Sequence, residues 1–250
     1  VGFVRPHYPN VAPQDFFDHY PWETMPLPQT VEDDLSDIPK AGLAKIRNDN
    51  NPIGEHPDNQ RRMWAGYYAT VEFMDRQVGR ILDELEQTGL RDSTAIVFCS
   101  DHGYHLGEHG FWQKHNYHED VTRVPLIISA PGIPPGRTRS LVELVDIFPT
   151  LTDLTHIQTP PGVQGKSLVP LLKSPTDSVR DSALSLHKGH SLRTDEWAFM
   201  RYSDDSEELY DMNNDPLQFT NLAGKSEFQE IKNSLATQLQ QRLRDAQIDK

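Results

Sequence analysis

Two short apolar runs constrain the fold of this chain more than any other feature of its sequence. Residues 95–99 are continuously apolar, and residues 124–130 are apolar apart from Ser129, so neither run alternates with polar side chains. Such runs are typical of strands buried on both faces of a mostly parallel sheet. Before the first run, apolar side chains recur at the spacing of an amphipathic helix that starts near Asp58 and stops at Gly89. This alternation predicts an α/β domain, in which ligand sites lie beyond the carboxyl ends of strands.

The sequence changes character on both sides of this pattern. Nine prolines lie within residues 1–60, so long regular elements are not expected there. From residue 178, short half-apolar runs separated by polar turns predict a small antiparallel sheet. A last helix, with Ile231, Leu235 and Leu239 on one face, closes the chain. We therefore expect a boundary between residues 1–177 and residues 178–250.

Charge and hydropathy exclude two broad classes of protein. The 24 basic and 37 acidic residues give a net charge of −13, which repels a phosphate backbone and argues against nucleic-acid binding. Mean hydropathy is −0.63, and no apolar stretch approaches the ~20 residues of a membrane span. The single cysteine, Cys99, has no intramolecular partner, so cysteine usage indicates no compartment.

The densest cluster of chemically active side chains follows the first apolar run. Residues 100–110 hold three histidines, two carboxylates and three glycines. A carboxylate and an imidazole side by side at a strand end, Asp101 and His102, can bind one metal ion, and Gly103 lets the backbone turn. We therefore predict a metal-binding pair here in preference to a solvated surface turn.

The same cluster contains a motif that we reject. His105 and His109 match the H-x-x-E-H pattern of a zinc peptidase family, which needs both histidines on one helix. Each glycine in a helix interior costs about 1 kcal/mol, and three glycines lie within residues 103–110. The peptidase interpretation is therefore disfavoured.

The sequence resembles the formylglycine-dependent sulfatases of the alkaline-phosphatase superfamily, and within them the iduronate-2-sulfatase-like branch. The resemblance rests on residues 1–9, 100–114, 123–127, 143–151 and 208–222. It implies an alkaline-phosphatase-like α/β fold, with part of a large mostly parallel sheet flanked by helices in residues 1–177. Residues 178–250 would form the small antiparallel sheet with its closing helix. The resemblance also implies a periplasmic or extracellular hydrolase, in preference to a lysosomal one, that acts on a sulfated sugar or polysaccharide.

The resemblance implies a role for four of these residues. Asp101 and His102 resemble the second half of a divalent-metal site, with calcium as the expected ion. The imidazole is a softer ligand than calcium usually takes, which leaves manganese or zinc open. Lys114 resembles the lysine that holds the sulfate ester, and His7 the histidine that faces the leaving-group oxygen. A metal and an ammonium suit this chemistry because ester cleavage moves negative charge onto the sulfate oxygens.

Further polar residues are predicted to contact the substrate. His187, His190 and Arg193 form a local basic cluster in an acidic chain, at the start of the predicted antiparallel sheet. A guanidinium can hold a carboxylate or sulfate in bidentate fashion, so Arg193 is the candidate for a substrate subsite, with a solvated strand edge as the alternative. We add His105 and His115, which lie close to the metal pair and to Lys114 in the sequence.

The nucleophile motif of the resembling family is absent from these 250 residues. The family carries Cys or Ser in a Cys/Ser-x-Pro/Ala-x-Arg motif, whereas Cys99 is followed by Ser-Asp-His-Gly and belongs to a predicted strand. The amino-terminal acidic metal ligands are also missing. We therefore expect the chain to resemble the carboxyl-terminal half of a sulfatase, to need a companion segment or chain with the nucleophile, and to be inactive alone. A phosphonate or phosphate ester hydrolase and a noncatalytic module that binds sulfated glycans are the alternatives.

Overall fold

The computed structural model describes residues 1–43 and 57–248. Helices α1 to α7 span Gln14–Phe17, Lys40–Leu43, Pro57–Gln87, Glu119–Thr122, Ile147–Leu154, Val169–Lys173 and Gln229–Asp245. Strands β1 to β8 span Ile96–Cys99, His105–Leu106, Trp112–Gln113, Leu126–Ser129, Ser182–Leu186, Gly189–Thr194, Trp197–Tyr202 and Glu207–Asp211. The described residues form two compact units, which we call unit 1 (1–31, 57–94 and 104–114) and unit 2 (32–43, 95–103 and 115–248).

Helix α3 organises unit 1 and confirms the helix predicted between Asp58 and Gly89. Its small residues Ala65 and Ala69 are buried, and Phe16 of α1 packs edge-on against Phe73 with ring centroids 5.2 Å apart. Gly89 ends the helix with a φ of 69°, a conformation that suits glycine. None of the helices in the described ranges is long and apolar enough to cross a membrane.

The proline-rich start of the chain also follows its prediction. Residues 1–43 contain only short helices separated by irregular backbone. Prolines fix φ and remove backbone donors, which keeps these elements short. The end of the predicted loop-rich segment, residues 44–56, lies outside the described residues.

The two apolar runs pair in a direction that the sequence does not predict. Strands β1 and β4 form an antiparallel pair in which Ile96 lies opposite Ser129 and Cys99 opposite Leu126. All strand pairs among the described residues are antiparallel, so the predicted parallel arrangement of these two runs is wrong. The prediction that these strands are buried on both faces is also wrong, because Ile127 is 60% exposed. A continuous apolar run indicates a strand but carries no information about the direction of its neighbour.

The predicted small antiparallel sheet with its closing helix is confirmed in unit 2. Strands β5, β6, β7 and β8 form a meander in chain order. One face of the sheet packs against the apolar stripe of α7 in a core formed by Leu192, Phe199, Leu209, Leu235, Leu239 and Leu243. The opposite face contributes Ala198, Met200, Tyr202 and Tyr210 to a second core, which also contains Tyr117. Residues on both sides of the predicted boundary at residue 177 lie in unit 2, so that boundary stays a prediction.

A buried ionic network joins the start of α5 to the sheet and to α7. Asp146 is fully buried and accepts hydrogen bonds from the backbone N–H groups of Glu143 (2.8 Å) and Lys166 (2.7 Å), and it forms an ion pair with Arg180. The Glu143 carboxylate contacts Arg180 Nη1 and Arg242 Nη2, each at 2.6 Å. Because each buried charge has an opposite partner, the network can hold these elements together without an uncompensated ion.

Candidate active site

The candidate site residues are distributed over both compact units, and each unit is described separately. Unit 1 carries His7, His105 and Lys114, and unit 2 carries Asp101, His102, His115, His187, His190 and Arg193. Three of the candidate residues therefore belong to unit 1 and six to unit 2.

The Asp101–His102 pair begins two residues after Cys99, the last residue of β1. The His102 backbone N–H donates to Asp101 Oδ1 at 3.0 Å, and His102 Nε2 lies 3.5 Å from Asp101 Oδ2. His102 Nδ1 lies 2.8 Å from the Gly103 carbonyl oxygen; because a carbonyl only accepts, Nδ1 carries the proton in this contact. A neutral imidazole then presents its Nε2 lone pair beside a carboxylate oxygen, an arrangement that a cation between them would stabilise.

This pair fits a metal ion but does not complete a metal site. The Asp101 side chain is 85% exposed, so its carboxylate can accept another ligand contact. No group of three or more His, Cys, Asp or Glu side chains within residues 1–43 and 57–248 is arranged to hold a metal. The described residues thus offer two adjacent ligands.

Gly103 holds the segment after the pair close to α4. Its N–H donates to the Val121 carbonyl at 2.8 Å, and a Cβ atom at this position would overlap the backbone oxygen of Asp120. Its φ is not among the positive values, so close approach explains this glycine better than the predicted turn does.

The rejected zinc-peptidase motif lies on a strand and a tight turn of unit 1. His105 belongs to β2, and His109 has a φ of 57° within a single 3-10 turn, so no helix presents the two histidines together. Glu108 Oε2 accepts the Leu106 N–H at 2.5 Å. This geometry confirms that the H-x-x-E-H match does not have the structural context of a peptidase.

His105 is packed in the interior of unit 1. Its exposed fraction is 1%, and its ring lies edge-on to Phe111 with centroids 5.5 Å apart. Its Nδ1 lies 3.9 Å from Glu108 Oε2. A buried ring reaches a bound sugar only if this packing opens, so the substrate contact of His105 stays a prediction.

His7 and Lys114 both belong to unit 1. His7 is exposed, and its Nδ1 lies 2.6 Å from the Tyr8 carbonyl oxygen, so this nitrogen carries the proton in that contact and Nε2 is left for a reacting group. Arg5 Nη1 donates to the His7 carbonyl at 3.0 Å, which fixes the backbone there. Lys114 is partly exposed and follows β3 directly.

The structure brings two predicted substrate residues together in unit 2. The rings of His115 and His187 lie 6.0 Å apart between centroids. Tyr117, which the sequence interpretation does not select, holds the backbone of His187: its hydroxyl donates to the His187 carbonyl at 2.6 Å and accepts the His187 N–H at 2.9 Å. Burial raises the pKa of Tyr117 to about 12, so the hydroxyl remains a donor at neutral pH. Its place three residues after Lys114 is the only signal for it in the sequence.

The predicted basic cluster around β6 is divided between the two faces of the sheet. Arg193 Nε lies 2.9 Å from Glu119 Oε1, so this guanidinium has an internal partner that the sequence interpretation misses. His190 precedes the buried Leu192 by two positions and lies on the same face as Leu192, toward α7. Side chains alternate along a strand, so Arg193 lies on the opposite face from His190.

Comparison with family models shows the family to which the chain belongs. A family model described as Sulfatase matches residues 1–157. A second, described as N-sulphoglucosamine sulphohydrolase, C-terminal, matches residues 107–245. The chain belongs to the sulfatase family, which confirms the family that its motifs predict.

Three curated sulfatases also match this chain. A sulfatase of Formosa agariphila is 35% identical over 235 residues, which cover 91% of this chain and 46% of that protein. The choline-sulfatase of Rhizobium meliloti is 34% identical, with 89% of this chain and 45% of that protein covered. Human iduronate 2-sulfatase is 35% identical, with 64% and 36% covered, and the other relatives match as well, so no branch is singled out. The chain spans about half the length or less of these relatives.

Solved structures confirm the alkaline-phosphatase-like α/β fold. BT4656, solved in complex with its substrate D-glucosamine-2-N,6-O-disulfate, matches with a TM-score of 0.73 and 30% identity, over 77% of this chain and 42% of that chain. The phosphonate monoester hydrolase SpPMH from Silicibacter pomeroyi matches with a TM-score of 0.86 and 26% identity, over 97% and 55%. A protein with a sulfated substrate and a phosphonate monoester hydrolase share the fold, so the fold alone does not choose between sulfate and phosphonate esters.

Proposed function

We propose that this chain supplies the metal-binding and sulfate-binding part of a sulfuric ester hydrolase that acts on a sulfated sugar or polysaccharide. The observation that carries the proposal is the Asp101–His102 pair at the end of β1, whose Nε2 and Oδ2 atoms lie 3.5 Å apart, in a chain of the sulfatase family. The sugar class is supported by BT4656, whose substrate is a disulfated glucosamine. The iduronate-2-sulfatase-like branch and a periplasmic or extracellular location remain proposals from the sequence resemblance.

In this proposal Asp101 and His102 hold one side of a divalent metal, calcium by resemblance. The bound metal would supply positive charge to the sulfate oxygens. Nδ1–H of His102 is oriented by the Gly103 carbonyl, which fixes the ring with Nε2 as the ligand atom. Lys114 adds an ammonium that stabilises the nonbridging oxygens as negative charge develops on them.

His7 is assigned to the leaving-group oxygen. The contact between its Nδ1 and the Tyr8 carbonyl fixes one ring nitrogen, so Nε2 is the atom that can hold a proton for the departing alcohol. An exposed position suits this role because the sugar product must leave through solvent.

The nucleophile is assigned to a companion segment or chain. These 250 residues contain no Cys/Ser-x-Pro/Ala-x-Arg motif, and relatives are matched over less than two thirds of their length. Metal and lysine without a nucleophile supply only electrostatic assistance. We propose that the companion carries formylglycine and the remaining metal ligands.

The experiment that tests this proposal compares the isolated chain with the complete assembly. We expect the isolated chain to hydrolyse neither aryl sulfates nor sugar sulfates with calcium, manganese or zinc present, and a formylglycine-bearing companion to restore turnover. Activity from the pure chain would contradict the companion. A preference of the assembly for phosphonate monoesters would favour the first alternative, and glycan binding without turnover would favour a binding module.

The subsite assigned to Arg193 is tested with two substrates of different size. In the complete enzyme we expect Arg193→Ala to raise KM for a sulfated oligosaccharide about tenfold while kcat and aryl sulfate hydrolysis stay nearly unchanged, because only the longer substrate reaches the guanidinium. The matched control is Glu119→Gln, which removes the same ion pair but keeps the arginine, and whose KM should not rise. Equal losses on both substrates, or equal losses in the two variants, would place Arg193 in the structural framework.

A further inference from the structure

A groove of about 390 Å³ lies in unit 2 between α7 and β7. It is open to solvent, and none of its lining residues belongs to the candidate active site. The side chains that line it are Arg201, Asn233, Ala236, Thr237, Gln240 and Arg244. Five of these six carry hydrogen-bond donors, and the lining contains no carboxylate.

The groove forms where one face of α7 lies beside strand β7. Positions 233, 237, 240 and 244 lie on one face of α7, next to the apolar stripe that packs on the sheet. Arg201 comes from β7, where its guanidinium lies over the Phe199 ring at 5.5 Å. Regular secondary structure on both sides therefore holds the donors in place.

The groove is locally positive in an acidic chain. Arg201 Nη2 contacts Glu207 Oε1 at 2.6 Å, and Lys232 contacts the other oxygen of the same carboxylate at 3.1 Å. The Glu207 carboxylate thus balances one of these two cations, and of the pair only Arg201 lines the groove. Arg244 adds a positive charge on the groove wall. In a protein with a net charge of −13, such a concentration of cations favours an anionic ligand locally.

We propose that this groove is an accessory binding site for a sulfated sugar unit. Arg201 already binds Glu207 through Nε and Nη2, so the Arg244 guanidinium is the group assigned to the sulfate oxygens. The amides of Asn233 and Gln240 suit sugar hydroxyl groups, and the Thr237 hydroxyl, which donates to the Asn233 carbonyl at 2.9 Å, can accept from one. The volume lies within the ~300–1,000 Å³ of small-ligand sites. The choice of a sulfated sugar rests on the proposed function. A second contact along one polysaccharide would raise the effective concentration of sulfate esters at the active site.

The test is a titration of the full 250-residue chain with D-glucosamine-2-N,6-O-disulfate, followed by the side-chain amide NMR signals of Asn233 and Gln240. We expect these signals to shift with the disulfated sugar and not with unsulfated glucosamine. Arg244→Gln should weaken this binding about tenfold, since it removes one charge-assisted contact. The matched control is Arg137→Gln, the same change at an exposed arginine of unit 2 outside the groove, and it should leave the affinity unchanged.

Three results would overturn the accessory site: no shift of the two amide signals, equal weakening in Arg137→Gln and Arg244→Gln, or inorganic sulfate binding as tightly as the sugar. The last result would define an anion site without sugar recognition. Failure here is distinguishable from failure of the proposed function, because aryl sulfate hydrolysis by the complete assembly does not involve the groove. Arg244→Gln should leave that activity unchanged.

Discussion

Replacing Lys114 with alanine in the complete enzyme is expected to lower kcat for sulfate ester hydrolysis by about 100- to 1,000-fold while bound metal stays at the wild-type level. The ammonium is assigned to oxygens that gain charge in the transition state, so its loss should appear in kcat more than in KM. Lys173→Ala is the matched control, since Lys173 is exposed at the end of α6 and belongs to no candidate site.

Variants of the metal pair should lose bound metal, whereas Lys114→Ala should keep it. Asp101→Ala and His102→Ala remove a proposed ligand, so metal content per mole of enzyme should fall together with turnover. Metal analysis of all variants alongside kinetics separates the two roles. Full metal occupancy in both ligand variants would show that the pair is not part of the metal site, and metal loss in Lys114→Ala would remove the lysine from its assigned role.

The elements that the sequence predicts well are those whose own side chains set their pattern. The helix from Asp58 to Gly89 and the helix at the end of the chain carry regular apolar stripes, and both are present. Strand β6 is not one of the half-apolar runs that predict the small sheet, because Leu192 is the only large apolar residue in Gly189–Thr194 and its neighbours across the sheet complete the strand. The direction of β1 relative to β4 likewise depends on a partner that periodicity does not describe.

In the candidate site, too, a contact between chain neighbours can be predicted from the sequence, and a contact between distant residues cannot. Asp101 and His102 are chain neighbours, so their juxtaposition follows from sequence alone. The contact between Arg193 and Glu119 joins residues 74 positions apart, and no local pattern indicates it. Burial of His105 against Phe111 is also a tertiary property. The roles of the metal pair, His7 and Lys114 stay predictions, while the sulfatase family and the fold are established.

The buried network around Asp146 shows why a family motif need not touch a substrate. Residues 143–151 belong to the segments that identify the family, and the structure places Asp146 where it accepts two backbone N–H groups and pairs with Arg180. The carboxylate thus fixes the start of α5 against residues 166 and 180. Asp146 is therefore a buried structural anion, and each of its carboxylate oxygens has a hydrogen-bond partner.

Asp146→Ala is therefore expected to lower the free energy of unfolding by about 3–5 kcal/mol. The change orphans the N–H groups of Glu143 and Lys166 and leaves Arg180 buried with Glu143 as its remaining carboxylate partner. Urea unfolding of the isolated chain measures the effect without any assumption about activity. The matched control is Asp153→Ala in α5, the helix that Asp146 precedes. Asp153 is an exposed aspartate that accepts one bond from Ser167 at 2.6 Å, and the loss there should stay within ~1 kcal/mol. Similar losses in the two variants would show that the buried network contributes no more than a surface contact.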